Sequence, residues 1–112
     1  MNLMRTAKGS TPFKHQRLTA VMLMFLLLFF IGHIIKYHDA PRQELLQWLH
    51  SPAVASIMIL TILAAFYHSF LGLKMVVEDY IHAKNLRWAT LFVLGLVHLF
   101  LITMSVLLIV MF

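Results

Sequence analysis

Three stretches without a single Lys, Arg, Asp or Glu, residues 18–35, 53–73 and 89–112, dominate the chain. Each is near or above the roughly 18–20 apolar residues that carry an α-helix across a bilayer. A soluble three-helix protein would show charged positions at helical spacing, and these runs show none. Hydrophobic residues make up 62% of the chain and charged residues 12%, far from the balance of a soluble domain. The expected fold is all-α: three transmembrane helices in an antiparallel bundle, with a short outer interfacial helix between the first two. The chain reads as one domain, 1–112, with spans over about 18–36, 53–77 and 88–112.

Basic residues precede the first run as they do in a signal peptide. Its apolar core is too long for one, no small-residue cleavage site follows, and two further spans come after it, so it is expected to stay in the mature protein. The absence of cysteine excludes thiolate haem ligation, iron–sulfur clusters and cysteine zinc sites in this chain. The formal charge of +5 is gathered into a few short segments and therefore acts as a topology signal. Arg5, Lys8, Lys14 and Arg17 lie in the N-terminal tail and Lys74, Lys84 and Arg87 around the second loop, against Lys36 and Arg42 around the first. Lys and Arg accumulate on the cytoplasmic side. The N-terminus and second loop are thus expected in the cytoplasm, and the first loop and C-terminus in the periplasm. No exposed basic face with groove-reading elements is present, so nucleic acid is not an expected partner.

In the first loop, residues 43–49 suggest a short surface helix, with Asp39 as a candidate cap and Trp48 at headgroup level. Ser51-Pro52 suits the start of the second span, Ser as cap and Pro at the first helical position. Asn85 is a candidate cap for the third, and Trp88 marks the inner interface. Three helices bury little surface, lipid supplies no hydrophobic drive for their association, and a cofactor held between helices usually needs four. A partner membrane subunit follows.

Chemistry concentrates in the second span. His68 stands sixteen residues into the run, and ionisable groups in hydrocarbon mark ligands, relays or polar partners. Two readings stand side by side: a neutral imidazole donating to a neighbouring helix, or an axial haem ligand whose second ring nitrogen is oriented by an acceptor. Gly72, one turn on, offers room for a flat macrocycle, and glycine also serves close helix packing. Eleven residues of helix put Asp79 on the face of His68, about 16 Å along the axis. Asp79 and Tyr80 read either as solvated interface residues or as a site for the polar head of a ligand entering from the membrane. A phenol donates to a quinone carbonyl, and a neighbouring carboxylate orients it or relays a proton. Arg17 reads as a topology determinant that snorkels to phosphate, or as the partner of a carboxylate such as a haem propionate. His98, near the middle of the third span, reads as packed and hydrogen-bonded; its depth differs from that of His68, and one chain offers too little wall for a haem. His33 lies near the outer end of the first span.

Two motifs carry a family resemblance. One is Gln16-Arg17-Leu18-Thr19-Ala20 at the head of the first span. The other is a histidine, a glycine four residues later and a Glu-Asp-Tyr triplet, standing here as His68, Gly72, Glu78, Asp79 and Tyr80. With the basic tail, three spans and outer helix, the chain resembles the small hydrophobic membrane-anchor subunits of bacterial succinate dehydrogenase, the cytochrome b-containing succinate:quinone oxidoreductases of the respiratory chain and tricarboxylic acid cycle. The resemblance implies an inner-membrane protein that makes no bond to succinate itself. It implies docking to a flavoprotein and an iron–sulfur subunit, and a haem b shared with a larger cytochrome b anchor subunit. It implies His68 as the metal ligand to that haem, Tyr80 as the hydrogen-bond donor to ubiquinone with Asp79 as the neighbouring acid, and Arg17 near the haem propionates. His98 falls outside the matched pattern. Relatives with two haems or none, and quinol:fumarate reductases working in reverse, share the architecture. Apart from the resemblance, a haem-free anchor and a non-redox membrane protein (a channel component or assembly factor) stand as alternatives; against a channel, the polar positions of the second span gather in its cytoplasmic half.

Overall fold

The computed structural model describes residues 3–111, with side chains over 13–111. The side chains of Arg5 and Lys8, two of the basic tail residues, and Phe112, the last residue of the third expected span, lie outside this description. Four helices account for nearly all of it: α1 (Leu3–Tyr37), α2 (Arg42–His50), α3 (Pro52–Tyr80) and α4 (Lys84–Met111). Three are long and apolar enough to cross a membrane, over Phe13–Tyr37, Pro52–Tyr80 and Lys84–Met111. The expected all-α, three-span architecture is the one found, with α2 as the short helix between the first two spans. The longest dimension, 59 Å, exceeds the ~40–45 Å of a whole bilayer, so helix ends project beyond it.

Helix α3 is the middle of the bundle. It packs against α1 and α4, and the buried apolar side chains, Val54, Ala64, Leu71 and Val77, all belong to it. Among the described residues, the flanking helices each insert one buried polar residue, Thr19 from α1 and His98 from α4. Thr19 meets His68 while Gln16 meets Gly72, so α1 and α3 run antiparallel. The remaining faces are apolar and open; on α1 alone Leu18, Phe25, Leu28, Ile34 and Ile35 are at least 60% exposed. In water such a surface would drive aggregation. In lipid it is the ordinary outside of a span.

The α2–α3 corner forms as Ser51-Pro52 suggests. Ser51 ends α2, its N–H donating to the Trp48 carbonyl, and starts α3, its hydroxyl accepting from the Val54 N–H at 3.4 Å with Pro52 at the first helical position. Two expected caps are corrected. Pro41 takes the cap position of α2 without a side-chain bond, while Asp39 pairs with His38 at 2.9 Å. Lys84 already opens α4, which puts Asn85 inside its first turn. Trp48 does more than float at headgroup level. Its ring stacks on His33 and Tyr37 of α1, each at 5.3 Å between centroids, and clamps α2 onto the C-terminal end of that helix. His33 itself donates Nδ1–H to the Phe29 carbonyl at 2.8 Å, a packing role.

Candidate functional site

Adjacent residues on a helix point about 100° apart, so the polar pair His68-Ser69 of α3 serves two different neighbours. Ser69 turns to α4, where its hydroxyl lies 3.2 Å from His98 Nε2. His98 donates Nδ1–H to the Leu94 carbonyl at 2.7 Å and is held edge-on by Phe66 and Phe70, at 6.0 and 5.6 Å. Both ring nitrogens are occupied, and the residue is buried as expected. An open apolar groove of about 460 Å³ between α3 and α4 ends against this histidine.

His68 turns the other way, to α1. Its Nδ1 lies 2.9 Å from Thr19 Oγ1, which also sits 2.9 Å from the His15 carbonyl and 3.0 Å from that of Gln16. The ring is half-buried, and Nε2 makes no hydrogen bond among the described residues. Beside it, His15 Nδ1 and the Tyr67 hydroxyl lie 2.7 Å apart. An added Cβ at Gly72 would stand 3.2 Å from Gln16 Nε2, so within this chain glycine spares room for an α1 side chain. The carbonyl oxygen of that amide is buried without a partner among the described residues. His68, Gly72 and the Gln16–Thr19 motif thus form one cluster.

Arg17 belongs to the same level of the bundle, since its neighbours Gln16 and Thr19 contact Gly72 and His68. Its guanidinium is exposed and rests over the Phe13 ring at 4.4 Å. Asp79 and Tyr80 lie in the last turn of α3, seven and eight residues, about 10–12 Å, beyond Gly72. The helix stops there because Ile81 leaves helical geometry, its N–H closing on the Val77 carbonyl. Tyr80 is 80% exposed, and neither residue makes a hydrogen bond or ion pair among the described residues. Glu78 is engaged by Lys74 at 3.9 Å, which leaves Asp79 as the uncommitted acid beside the phenol. The arrangement therefore has two parts on one continuous helix: an imidazole held by one nitrogen within the apolar zone, and an exposed acid–phenol pair at the polar end.

No group of three or more His, Cys, Asp or Glu able to hold a metal ion occurs among the described residues. One imidazole is the contribution available at His68. A single imidazole would fit a haem, which brings most of its own metal donors and would take a further ligand from a second protein chain.

Two residues central to this geometry had no role assigned from sequence, Thr19 and Gln16, although both stand in the first motif. A hydroxyl two positions inside Arg17 was the available signal, because a histidine in lipid requires a polar partner at its own depth.

Comparison with known proteins bears on the family. A family model described as succinate dehydrogenase/fumarate reductase transmembrane subunit matches residues 2–104. The succinate dehydrogenase hydrophobic membrane anchor subunit of Rickettsia prowazekii is 31% identical over 80 residues, covering 70% of this chain and 63% of that protein. The protein of the same description in Rickettsia bellii is 29% identical over 79 residues, with coverages of 70% and 63%. That of Rickettsia typhi is 35% identical over 73 residues, with coverages of 64% and 58%. The chain thus spans somewhat less than two thirds of the length of these relatives. Three membrane-length helices and a family match over most of the sequence agree: the chain belongs to the succinate dehydrogenase/fumarate reductase transmembrane subunit family.

Proposed function

We propose that this chain is the small membrane anchor of a succinate dehydrogenase, multi-pass in a bacterial inner membrane with its N-terminus in the cytoplasm. It docks the flavoprotein and iron–sulfur subunits, shares a haem b with a larger anchor subunit, and walls part of a ubiquinone-reduction site. The observation that carries this reading is the position of His68. Among the described residues, one nitrogen is held by Thr19, the other has no hydrogen-bond partner, and the helix that bears it ends in an uncommitted Asp79-Tyr80 pair. A haem bound there supplies a one-electron store close to the quinone site.

The chain's own residues divide the work. His68 Nε2 offers the lone pair for ligation. Arg17, exposed and at the same level, offers a guanidinium to the propionate carboxylates. Tyr80 donates its hydroxyl to a quinone carbonyl, and Asp79 orients the phenol and passes protons from the aqueous side. The scarcity of water near the membrane strengthens each of these bonds. The basic residues of α1, together with Lys74 of α3 and Lys84 and Arg87 of α4, support the same orientation, with Tyr80 toward the cytoplasmic face.

The test is purification of the chain with its co-expressed partners, followed by reduced-minus-oxidised spectra. A b-type signal in a complex that reduces quinone with succinate is the expected result. A complex assembled without this chain, or one without b-type absorbance, would refute the assignment. A companion variant checks the division between the two span histidines. His98→Leu should leave the b-type signal in place, because His98 already spends both nitrogens on Leu94 and Ser69. Its effect should be confined to packing, about 1 kcal/mol for the lost interhelical bond. Disappearance of the signal in that variant would transfer the ligand role to α4.

A further inference from the structure

Thr19 is buried, 6% exposed, in the head of an otherwise apolar span. Three atoms crowd its oxygen: the His15 carbonyl at 2.9 Å, the Gln16 carbonyl at 3.0 Å and His68 Nδ1 at 2.9 Å. A hydroxyl has one proton and two lone pairs, and a carbonyl only accepts. If the proton pointed at His68, the oxygen would turn lone pairs on two carbonyl oxygens at contact distance. The stable arrangement sends the proton to the helix's own carbonyls, the usual back-bond of threonine in a membrane helix. The lone pair left over faces His68. Nδ1 must then carry the proton, and in a neutral imidazole Nε2 is unprotonated.

We infer that Thr19 is a positioning residue for the haem-ligating imidazole: by accepting from Nδ1–H it selects the tautomer that presents Nε2 to iron, fixes the ring's rotation, and raises the ring's donor strength. The inference rests on the haem reading of His68 given above. Its physical content is that an acceptor on the distal N–H gives a ligand more anionic character, which favours the oxidised metal. Removing the acceptor therefore raises the reduction potential.

The experiment compares wild type, Thr19→Val and Thr19→Ser in the assembled complex, by redox titration of the b-type absorbance and by the ferric electron paramagnetic resonance signal. Valine keeps the shape and loses the hydroxyl, whereas serine keeps the hydroxyl and loses a methyl group. Thr19→Val should shift the potential upward and alter the ferric signal, with Thr19→Ser returning both to wild type. A purely structural role for the α1–α3 contact would leave both readouts unmoved in complexes that assemble. Wild-type values in Thr19→Val, or equal shifts in both variants, overturn the inference. If Thr19→Val assembles without haem, serine decides: retention of haem supports the hydroxyl, and loss overturns it. A wild-type complex with no b-type signal removes the haem reading itself and this inference with it, an outcome distinct from a haem that ignores Thr19.

Discussion

Replacing His68 by alanine should abolish the b-type absorbance of the assembled complex while leaving the chain in the membrane. The magnitude follows from the ligand's rank. Loss of a residue that merely orients a metal ligand costs about 10–100-fold in affinity, so loss of the ligand itself should exceed about 100-fold. The structural cost is much smaller. Alanine is the best helix former, so α3 keeps its backbone, and the lost Thr19 contact is worth about 0.6 kcal/mol between membrane helices. The apolar core of α3, Val54, Ala64, Leu71 and Val77, is untouched. Haem content per assembled complex is therefore the quantity to read, with His98→Leu as the matched control. Unchanged haem content in His68→Ala would end the ligand assignment, because no other imidazole of α3 lies within the span.

The three spans were legible because hydrocarbon tolerates no charge on an open face, and runs of 18 residues or more have one cheap solution there. Helix ends were less legible for the same reason. Hydropathy reports where lipid lies, and α1 continues from its apolar stretch through polar residues back to Leu3, because backbone hydrogen bonding needs no lipid. Asp39 had the right chemistry for a cap, but Pro41 holds the cap position of α2 two residues later and His38 binds the carboxylate. Ser51-Pro52 was readable because a cap and a first-turn proline are local features.

At the candidate site, the spacing from His68 to Asp79-Tyr80 was legible since all three ride one helix, whose pitch sets their separation. The Thr19–His68 contact was not. Its partners are 49 residues apart, and a hydroxyl in a span bonds its own backbone as readily as another helix. Gly72 shows the same limit. Its missing side chain signals a close approach, but only the packing of α1 shows that Gln16 is the neighbour in this chain. The polar residues of α3 were visible as a group, and the angular step between His68 and Ser69 is what shares them between α1 and α4.

Tyr80→Phe should lower succinate-driven quinone reduction about tenfold and leave succinate oxidation with a soluble acceptor unchanged. The variant removes one oxygen. Tyr80 is 80% exposed and makes no hydrogen bond among the described residues, so the chain loses no internal contact. A hydrogen bond to a neutral carbonyl contributes about 0.5–1.5 kcal/mol, and each 1.36 kcal/mol of barrier is a factor of ten in rate. Asp79→Asn separates the two roles further. An amide still orients the phenol but does not ionise and so cannot take up and release a proton, so the variant should bind quinone and reduce it slowly. Glu78 is a poor substitute, because it lies about 100° round the helix from Asp79, on the side of Lys74. Equal losses with quinone and with the soluble acceptor would mean that Tyr80 supports assembly with the catalytic subunits. Wild-type rates with both would place the quinone head elsewhere, and the exposed phenol would then be one more aromatic at the membrane boundary.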